Sequence, residues 1–223
     1  MTPPSSAPTA ESLPTADWWF DFISPYAYLQ SERLARFDGL AQLRLRPVLF
    51  AGLLAHHGTK GPAEIPGKRE HTYRQVAWLA HREGIALAFP PMHPFNPLPL
   101  LRLFVSTGGG REALHAIFRF VWQDGRLPDD SEAFARLAKS LGIDDVPAAL
   151  ARPDVKDALR ASTDEAVAHG VFGVPTLDVD GERFWGFDAT DMAVAWLQGD
   201  AFLRGEAMRR AGAVPQGVRR RDA

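Results

Sequence analysis

The two ends of the chain carry strand patterns, and the middle carries helix patterns. Aromatic residues alternate over residues 18–22 and predict a short strand. Leucines alternate with arginines over residues 42–49 and predict a second strand. A helix over residues 26–37 fits between them, and this connection is long enough to join two parallel strands. The start of the chain therefore predicts a β-α-β unit.

Strand patterns return near the other end of the chain. Residues 176–179 and 182–185 are separated only by Asp180-Gly181, which favours a two-residue type I′ hairpin turn. A helix over residues 190–198 follows. The helices predicted between the two strand-bearing parts cover residues 69–83, 98–107, 111–123, 130–141 and 154–169. This order predicts an α/β fold in which both ends of the chain contribute strands.

The composition excludes several classes of chemistry. The chain has no cysteine, so disulfides, thiolate metal sites and an intrinsic dithiol reaction are impossible. None of the seven histidines stands in a metal-binding spacing such as His-Glu-x-x-His, and we expect no metal site. The net charge of −2 gives no attraction to nucleic acid or an anionic membrane. No segment approaches the ~18 apolar residues of a membrane span. The absence of cysteine fits a cytosolic protein, and we expect a cytoplasmic location.

The junction between the first strand and the first helix is a candidate site. Ser24 stands at the junction and Pro25 at the first helical position, in the run Asp-Phe-Ile-Ser-Pro-Tyr over residues 21–26. Ser followed by Pro is also the commonest way to begin a helix. A helix N-terminus nevertheless stabilises a thiolate, and a serine hydroxyl adds one more donor. In a chain without cysteine, this arrangement indicates a thiol supplied by a cofactor.

A second candidate site precedes the third strand. The run Phe-Gly-Val-Pro-Thr over residues 172–176 places Pro175 directly before that strand. Most X–Pro bonds are trans, so an ordinary proline that opens a strand is one interpretation. The other is a cis bond, which would expose the Val174 backbone for β-like pairing with a bound peptide.

Five short motifs follow one another at residues 20–26, 58–68, 89–91, 172–176 and 184–188. In this order they resemble the 2-hydroxychromene-2-carboxylate isomerases, relatives of the kappa-class glutathione transferases. The resemblance covers about residues 17–198. It implies a DsbA-like, thioredoxin-like fold with a large all-helical insertion domain. The expected parts are a disordered N-terminal tail (1–16), a thioredoxin-like domain in two segments (17–50 and 171–198), a helical insertion domain (51–170) and a C-terminal tail (199–223).

The resemblance also implies glutathione as cofactor. Ser24 would contact the glutathione sulfur, and Val174 would pair with the cysteinyl backbone. Lys68 would lie near the glycine carboxylate or the acid group of a small aromatic substrate. The residues implied for the cofactor are Ser24, Lys68, Val174, Pro175, Trp185, Gly186, Phe187 and Asp188. The last four of these would hold its γ-glutamyl end. The residues implied for the substrate are Thr59, Lys68 and His93.

Several of these positions have a second interpretation. Lys68 also fits a solvated helix start, Asp188 fits a helix cap, and His93 fits a plain proline-rich loop. Two positions depart from the family pattern. Thr59 stands where relatives usually carry Asn, and Phe187 stands where they often carry a polar residue.

The activity that the resemblance implies is reversible conversion of 2-hydroxychromene-2-carboxylate to trans-o-hydroxybenzylidenepyruvate in aromatic-compound catabolism. Ser24 would activate the glutathione thiolate, which adds to the substrate and is regenerated. One alternative is a kappa-like glutathione transferase that consumes glutathione on electrophiles. Another is a thioredoxin-fold protein that binds thiols or peptides without turnover, which the departures at Thr59 and Phe187 favour. Relatives are typically dimers, so a homodimer is expected.

Overall fold

Within residues 13–217, which the computed structural model describes, four strands form one mixed sheet. The strands are β1 (Thr15–Phe20), β2 (Gln42–Pro47), β3 (Thr176–Val179) and β4 (Glu182–Trp185), in the order β2-β1-β3-β4. β1 pairs in parallel with β2 and antiparallel with β3, and β3 and β4 form a hairpin. The α/β prediction is confirmed, since both ends of the chain contribute strands.

The hairpin between β3 and β4 turns on Asp180 and Gly181. Both residues have positive φ, 53° and 85°, which is the type I′ geometry that the sequence predicts. The Asp178 carboxylate accepts a hydrogen bond from the Gly181 N–H at 3.0 Å. Thr176 pairs with Trp185 at the open end of the hairpin. The segment before β3 therefore lies beside the segment after β4.

Helices account for most of the remaining described chain. They are α1 (Pro25–Ser31), α2 (Phe50–His57), α3 (Pro66–Glu83), α4 (Leu98–Ser106), α5 (Arg111–Trp122), α6 (Ser131–Ser140), α7 (Val146–Ala151), α8 (Pro153–Ala168), α9 (Thr190–Leu197) and α10 (Glu206–Gly212). The ends of α3, α4, α5, α6, α8 and α9 fall within three residues of the predicted bounds.

Four details differ from the predictions. β1 begins at Thr15, before the end of the predicted N-terminal tail. The helix predicted over residues 26–37 is divided into α1 and a 3-10 turn at Leu34–Phe37. α2 and α7 were not expected. The predicted C-terminal tail (199–223) contains α10.

Residues 1–12 and 218–223 lie outside the described part of the chain. Most of the predicted disordered N-terminal tail and the last six residues of the predicted C-terminal tail therefore fall outside it. Across residues 13–217, no helix combines the length and the apolar character that crossing a membrane requires.

One hydrophobic core is shared by the sheet and by the helices that lie between β2 and β3 in the chain. Trp18 and Phe20 on β1 stack with their ring centroids 4.8 Å apart. Phe22, just beyond β1, lies 4.7 Å from Phe118 on α5, and Phe20 lies 5.2 Å from Phe104 on α4. All five rings are buried, and aromatic pairs of this kind add about 0.5–1.5 kcal/mol beyond their buried area. This packing fixes the end of β1, and thus the start of α1, against the inserted helices.

Candidate active site

A cavity of about 1120 Å³ opens beside the start of α1. Its walls come from α1, α2, one face of α3, the segment before β3 and the segment after β4. All predicted site residues except Pro175 and His93 line it. These lining residues are Ser24, Thr59, Lys68, Val174, Trp185, Gly186, Phe187 and Asp188.

The Ser24 side chain links α1 to the segment before β3. Its Oγ accepts a hydrogen bond from the Ala27 N–H at 3.2 Å, which makes Ser24 the N-cap of α1. The same hydroxyl donates to the Val174 carbonyl at 3.3 Å. The Val174–Pro175 peptide bond is cis. Capping and pairing with Val174 therefore coexist at Ser24, and both residues are buried at the base of the cavity.

Asp21 organises the turn that presents Ser24. Its carboxylate accepts hydrogen bonds from the Ile23 N–H at 3.1 Å and from the Phe50 N–H at 2.9 Å. It thereby ties the turn to the first residue of α2. Complete burial raises the pKa of Asp21 to about 7, against the opposing effect of the backbone N–H groups that it accepts from.

His93 lies beneath this turn and does not reach the cavity wall. Its Nε2 is 2.8 Å from the Ile23 carbonyl, and its Nδ1 is 2.8 Å from the Tyr73 hydroxyl. Because a carbonyl only accepts, Nε2 carries the proton. The Tyr73 hydroxyl also lies 3.0 Å from the His93 carbonyl, so its one proton is donated either to that carbonyl or to Nδ1. Burial lowers the pKa of His93, which favours this neutral form. These contacts support the turn, and the contact of His93 with a substrate stays a prediction.

Three charged side chains on the cavity wall have no ion-pair partner among residues 13–217. They are Lys60, Lys68 and Asp188. The arginines that line the cavity are paired within the protein: Arg33 with Glu83 at 2.8 Å, Arg36 with Asp191 at 2.5 Å, and Arg82 with Glu83 at 2.7 Å. Two cations and one carboxylate thus remain to meet charges on a ligand.

The segment after β4 packs closely on the segment before β3. The Gly186 N–H donates to the Pro175 carbonyl at 2.8 Å. The rings of Phe172 and Trp185 lie 5.1 Å apart at the rim, and each is about half exposed. A Cβ on Gly173 would lie 2.5 Å from Trp185 Nε1, so only glycine allows this approach. Pro175 therefore contributes to the site through its carbonyl and through the cis bond.

Gln30 on α1 holds the segment after β4 from the core side. Its Nε2 donates to the Gly186 carbonyl at 3.2 Å and to Thr190 Oγ1 at 2.9 Å, and its Oε1 accepts from Trp18 Nε1 at 2.6 Å. Gln30 is 1% exposed; its bonds to Trp18 and Thr190 are buried, and its bond to Gly186 is partly buried. The sequence analysis missed Gln30 because Gly186 and Thr190 lie 156 and 160 residues away.

Replacing Gln30 with leucine is expected to lower the free energy of unfolding by roughly 2 kcal/mol. The change leaves the buried Trp18 N–H and the Gly186 carbonyl without their partner, and an unsatisfied buried group costs about 1–3 kcal/mol. Denaturant unfolding measures the loss, and hydrogen exchange is expected to speed up at residues 186–190. Gln123→Leu changes an exposed glutamine and is expected to alter neither; equal effects of the two variants would contradict the role of Gln30.

Residues 15–198 match the family model of the DSBA-like thioredoxin domain. The match includes all four strands and the helices between them. The chain belongs to this family. In this DSBA-like domain a serine stands at the strand–helix junction and cysteine is absent from the chain, so its own side chains cannot carry out disulfide exchange.

Similar proteins include isomerases and transferases. The 2-hydroxychromene-2-carboxylate isomerase of Sphingobium xenophagum is 29% identical over 191 residues, which are 82% of this chain and 97% of that protein. Human glutathione S-transferase kappa 1 is 26% identical over 209 residues, which are 85% of this chain and 92% of that protein. A solved structure of a selenomethionine 2-hydroxychromene-2-carboxylate isomerase superposes with a TM-score of 0.71 at 24% identity. That alignment covers 89% of this chain and 98% of the other, and it supports the fold.

Proposed function

We propose that this DSBA-like protein is a glutathione-dependent isomerase that interconverts 2-hydroxychromene-2-carboxylate and trans-o-hydroxybenzylidenepyruvate. The observation that carries the proposal is the Ser24 hydroxyl 3.3 Å from the Val174 carbonyl, at the base of a large cavity in a chain without cysteine. A hydroxyl beside a peptide carbonyl suits a peptide thiol, because the two groups can bind its sulfur and its backbone N–H. Isomerases of this name are among the relatives aligned over most of the chain.

Each unpaired charge of the cavity has a possible counterpart of opposite sign on glutathione or on the acid substrate. Asp188 suits the γ-glutamyl ammonium, with Trp185, Gly186 and Phe187 beside it on the wall. Lys60 and Lys68, together with Thr59, suit the glycine carboxylate and the acid group of the substrate.

Ser24 would exchange one hydrogen bond for another when the thiol binds. In the structure its hydroxyl donates to the Val174 carbonyl. The cysteinyl N–H of glutathione would donate to that carbonyl, which frees the Ser24 proton for the sulfur. A donor to the sulfur stabilises the thiolate and lowers the pKa of the thiol. Bound glutathione would supply a thiolate that adds to the conjugated carbon of the ring-opened substrate and turns its C=C bond into a single bond that can rotate. Expulsion of the thiolate would then restore the double bond as the trans isomer and regenerate glutathione.

A second candidate function is a kappa-like glutathione transferase, because kappa transferases are also among the relatives. The same residues would hold the thiol and activate its sulfur. The difference lies in the fate of glutathione, which a transferase consumes and an isomerase regenerates.

The test is the ultraviolet absorbance change of 2-hydroxychromene-2-carboxylate with the protein, measured with and without glutathione. We expect turnover only with glutathione and no loss of free thiol in a colorimetric thiol assay. Stoichiometric thiol loss would favour the transferase. Glutathione that binds calorimetrically without turnover of this compound would contradict the isomerase and leave a transferase for a different electrophile or a thiol-binding protein.

A further inference from the structure

Tyr26 places a hydroxyl on the cavity wall two residues after Ser24. The hydroxyl donates to Gln75 Oε1 at 2.8 Å. Thr72 and Gln75 lie one turn apart on the face of α3 that lines the cavity. Tyr26 therefore reaches from α1 to α3 across the cavity.

Asp188 acts on the same hydroxyl. Partial burial and the negative charge of Asp188 raise the pKa of Tyr26, so the hydroxyl stays protonated at neutral pH and is a donor. Asp188 itself has no ion-pair partner in the described chain. A neutral donor and an unpaired carboxylate thus face one region of the cavity.

This combination suits the head group of an α-amino acid, in which one carbon carries an ammonium and a carboxylate. Asp188 can pair with the ammonium. The carboxylate next to it needs hydrogen-bond donors, and the Tyr26 hydroxyl and the Gln75 amide group can supply them. Gln75 is exposed on α3, so its amide can turn and present its N–H₂ group once the Tyr26 hydroxyl releases Oε1.

We propose that Tyr26 and Gln75 bind the carboxylate of a γ-glutamyl head group whose ammonium pairs with Asp188, a role that rests on the proposed function. On binding, the Tyr26 hydroxyl turns from Gln75 Oε1 to the carboxylate, and Gln75 donates from Nε2. The site then selects γ-glutamyl thiols over thiols that lack an α-carboxylate in their head group.

The test is a calorimetric comparison of two ligands, glutathione and 4-aminobutyryl-cysteinylglycine, which keeps the amine and lacks only the α-carboxylate. The unaltered protein is expected to prefer glutathione by about 10- to 100-fold, the range for a hydrogen bond to a charged group. Tyr26→Phe is expected to weaken glutathione binding by that factor and to leave the affinity for the analogue unchanged. Gln75→Leu changes an exposed position and is expected to reduce the preference for glutathione over the analogue. It replaces Tyr26→Phe as the test if that variant does not fold.

Tyr28→Phe is the matched control on the same helix, because the Tyr28 hydroxyl donates to the Ala86 carbonyl away from the cavity. It is expected to keep both affinities. Equal weakening of both ligands by Tyr26→Phe, or no change in either, overturns the role of Tyr26 and leaves the glutathione site standing. No binding of glutathione to the unaltered protein overturns the proposed function and this role together.

Discussion

Replacing Ser24 with alanine is expected to lower kcat for isomerisation about 100- to 1000-fold, the range for loss of one preorganised donor to a charged reacting group. Glutathione is expected to bind with little change, because the Val174 carbonyl and the charged wall residues remain. The pKa of the bound thiol is expected to rise, since its thiolate loses the Ser24 hydroxyl. Steady-state kinetics gives kcat. The ultraviolet absorbance of the thiolate, measured as a function of pH, gives the pKa of the bound thiol.

Two further variants separate the hydroxyl from the helix cap. Ser24→Ala also removes the N-cap of α1, which costs about 1 kcal/mol of stability. Asp145→Ala removes the N-cap of α7, where the carboxylate accepts from the Ala148 N–H at 2.9 Å. It is expected to lower stability by a similar amount without changing kcat. Ser24→Thr keeps a hydroxyl and is expected to retain measurable turnover. An unchanged kcat in Ser24→Ala would contradict the role given to Ser24.

Local sequence signals predicted the parts of this protein that local interactions determine. The bounds of β3 and β4 agree with the predictions to the residue, because alternation and the Asp180-Gly181 turn lie within one short segment. Ser24 and Pro25 mark the start of α1 for the same reason. The family motifs implied that Ser24, Val174 and the segment after β4 share one site, and all of them line the cavity.

Distant contacts determine what the sequence did not reveal. α2 begins without a side-chain cap of its own, and the first N–H of the helix, on Phe50, donates to Asp21 on a different segment. Gln30 and His93 act on backbone groups 156 and 70 residues away. Gln30 carries no local pattern that distinguishes it from an ordinary helix residue, and the resemblance implied a substrate contact for His93 but not its contact with Ile23. The residues that hold the site in place are therefore harder to predict from the sequence than the residues that line the cavity.

Raising the pH from about 4 to about 7 is expected to lower the free energy of unfolding through Asp21. Burial raises its pKa to about 7 in the folded protein, whereas an exposed aspartate in the unfolded chain titrates near 3.9, roughly its usual value. Between these values the folded protein binds more protons than the unfolded chain, so stability falls as the pH rises. One pKa unit corresponds to about 1.4 kcal/mol, which makes the full effect roughly 4 kcal/mol.

Urea unfolding at several pH values, for the unaltered protein and Asp21→Asn, measures this effect. Asparagine does not ionise, so its variant is expected to lack this part of the slope. Asp130→Asn is the control: a backbone hydrogen bond from Ala133 lowers the pKa of Asp130, so its contribution is lost only below about pH 4. Parallel slopes for Asp21→Asn and the unaltered protein would contradict the assignment.

Ionised Asp21 is also the stronger acceptor for the Ile23 and Phe50 N–H groups. The turn that presents Ser24 is therefore held most firmly above pH 7, where the buried charge makes the whole fold less stable.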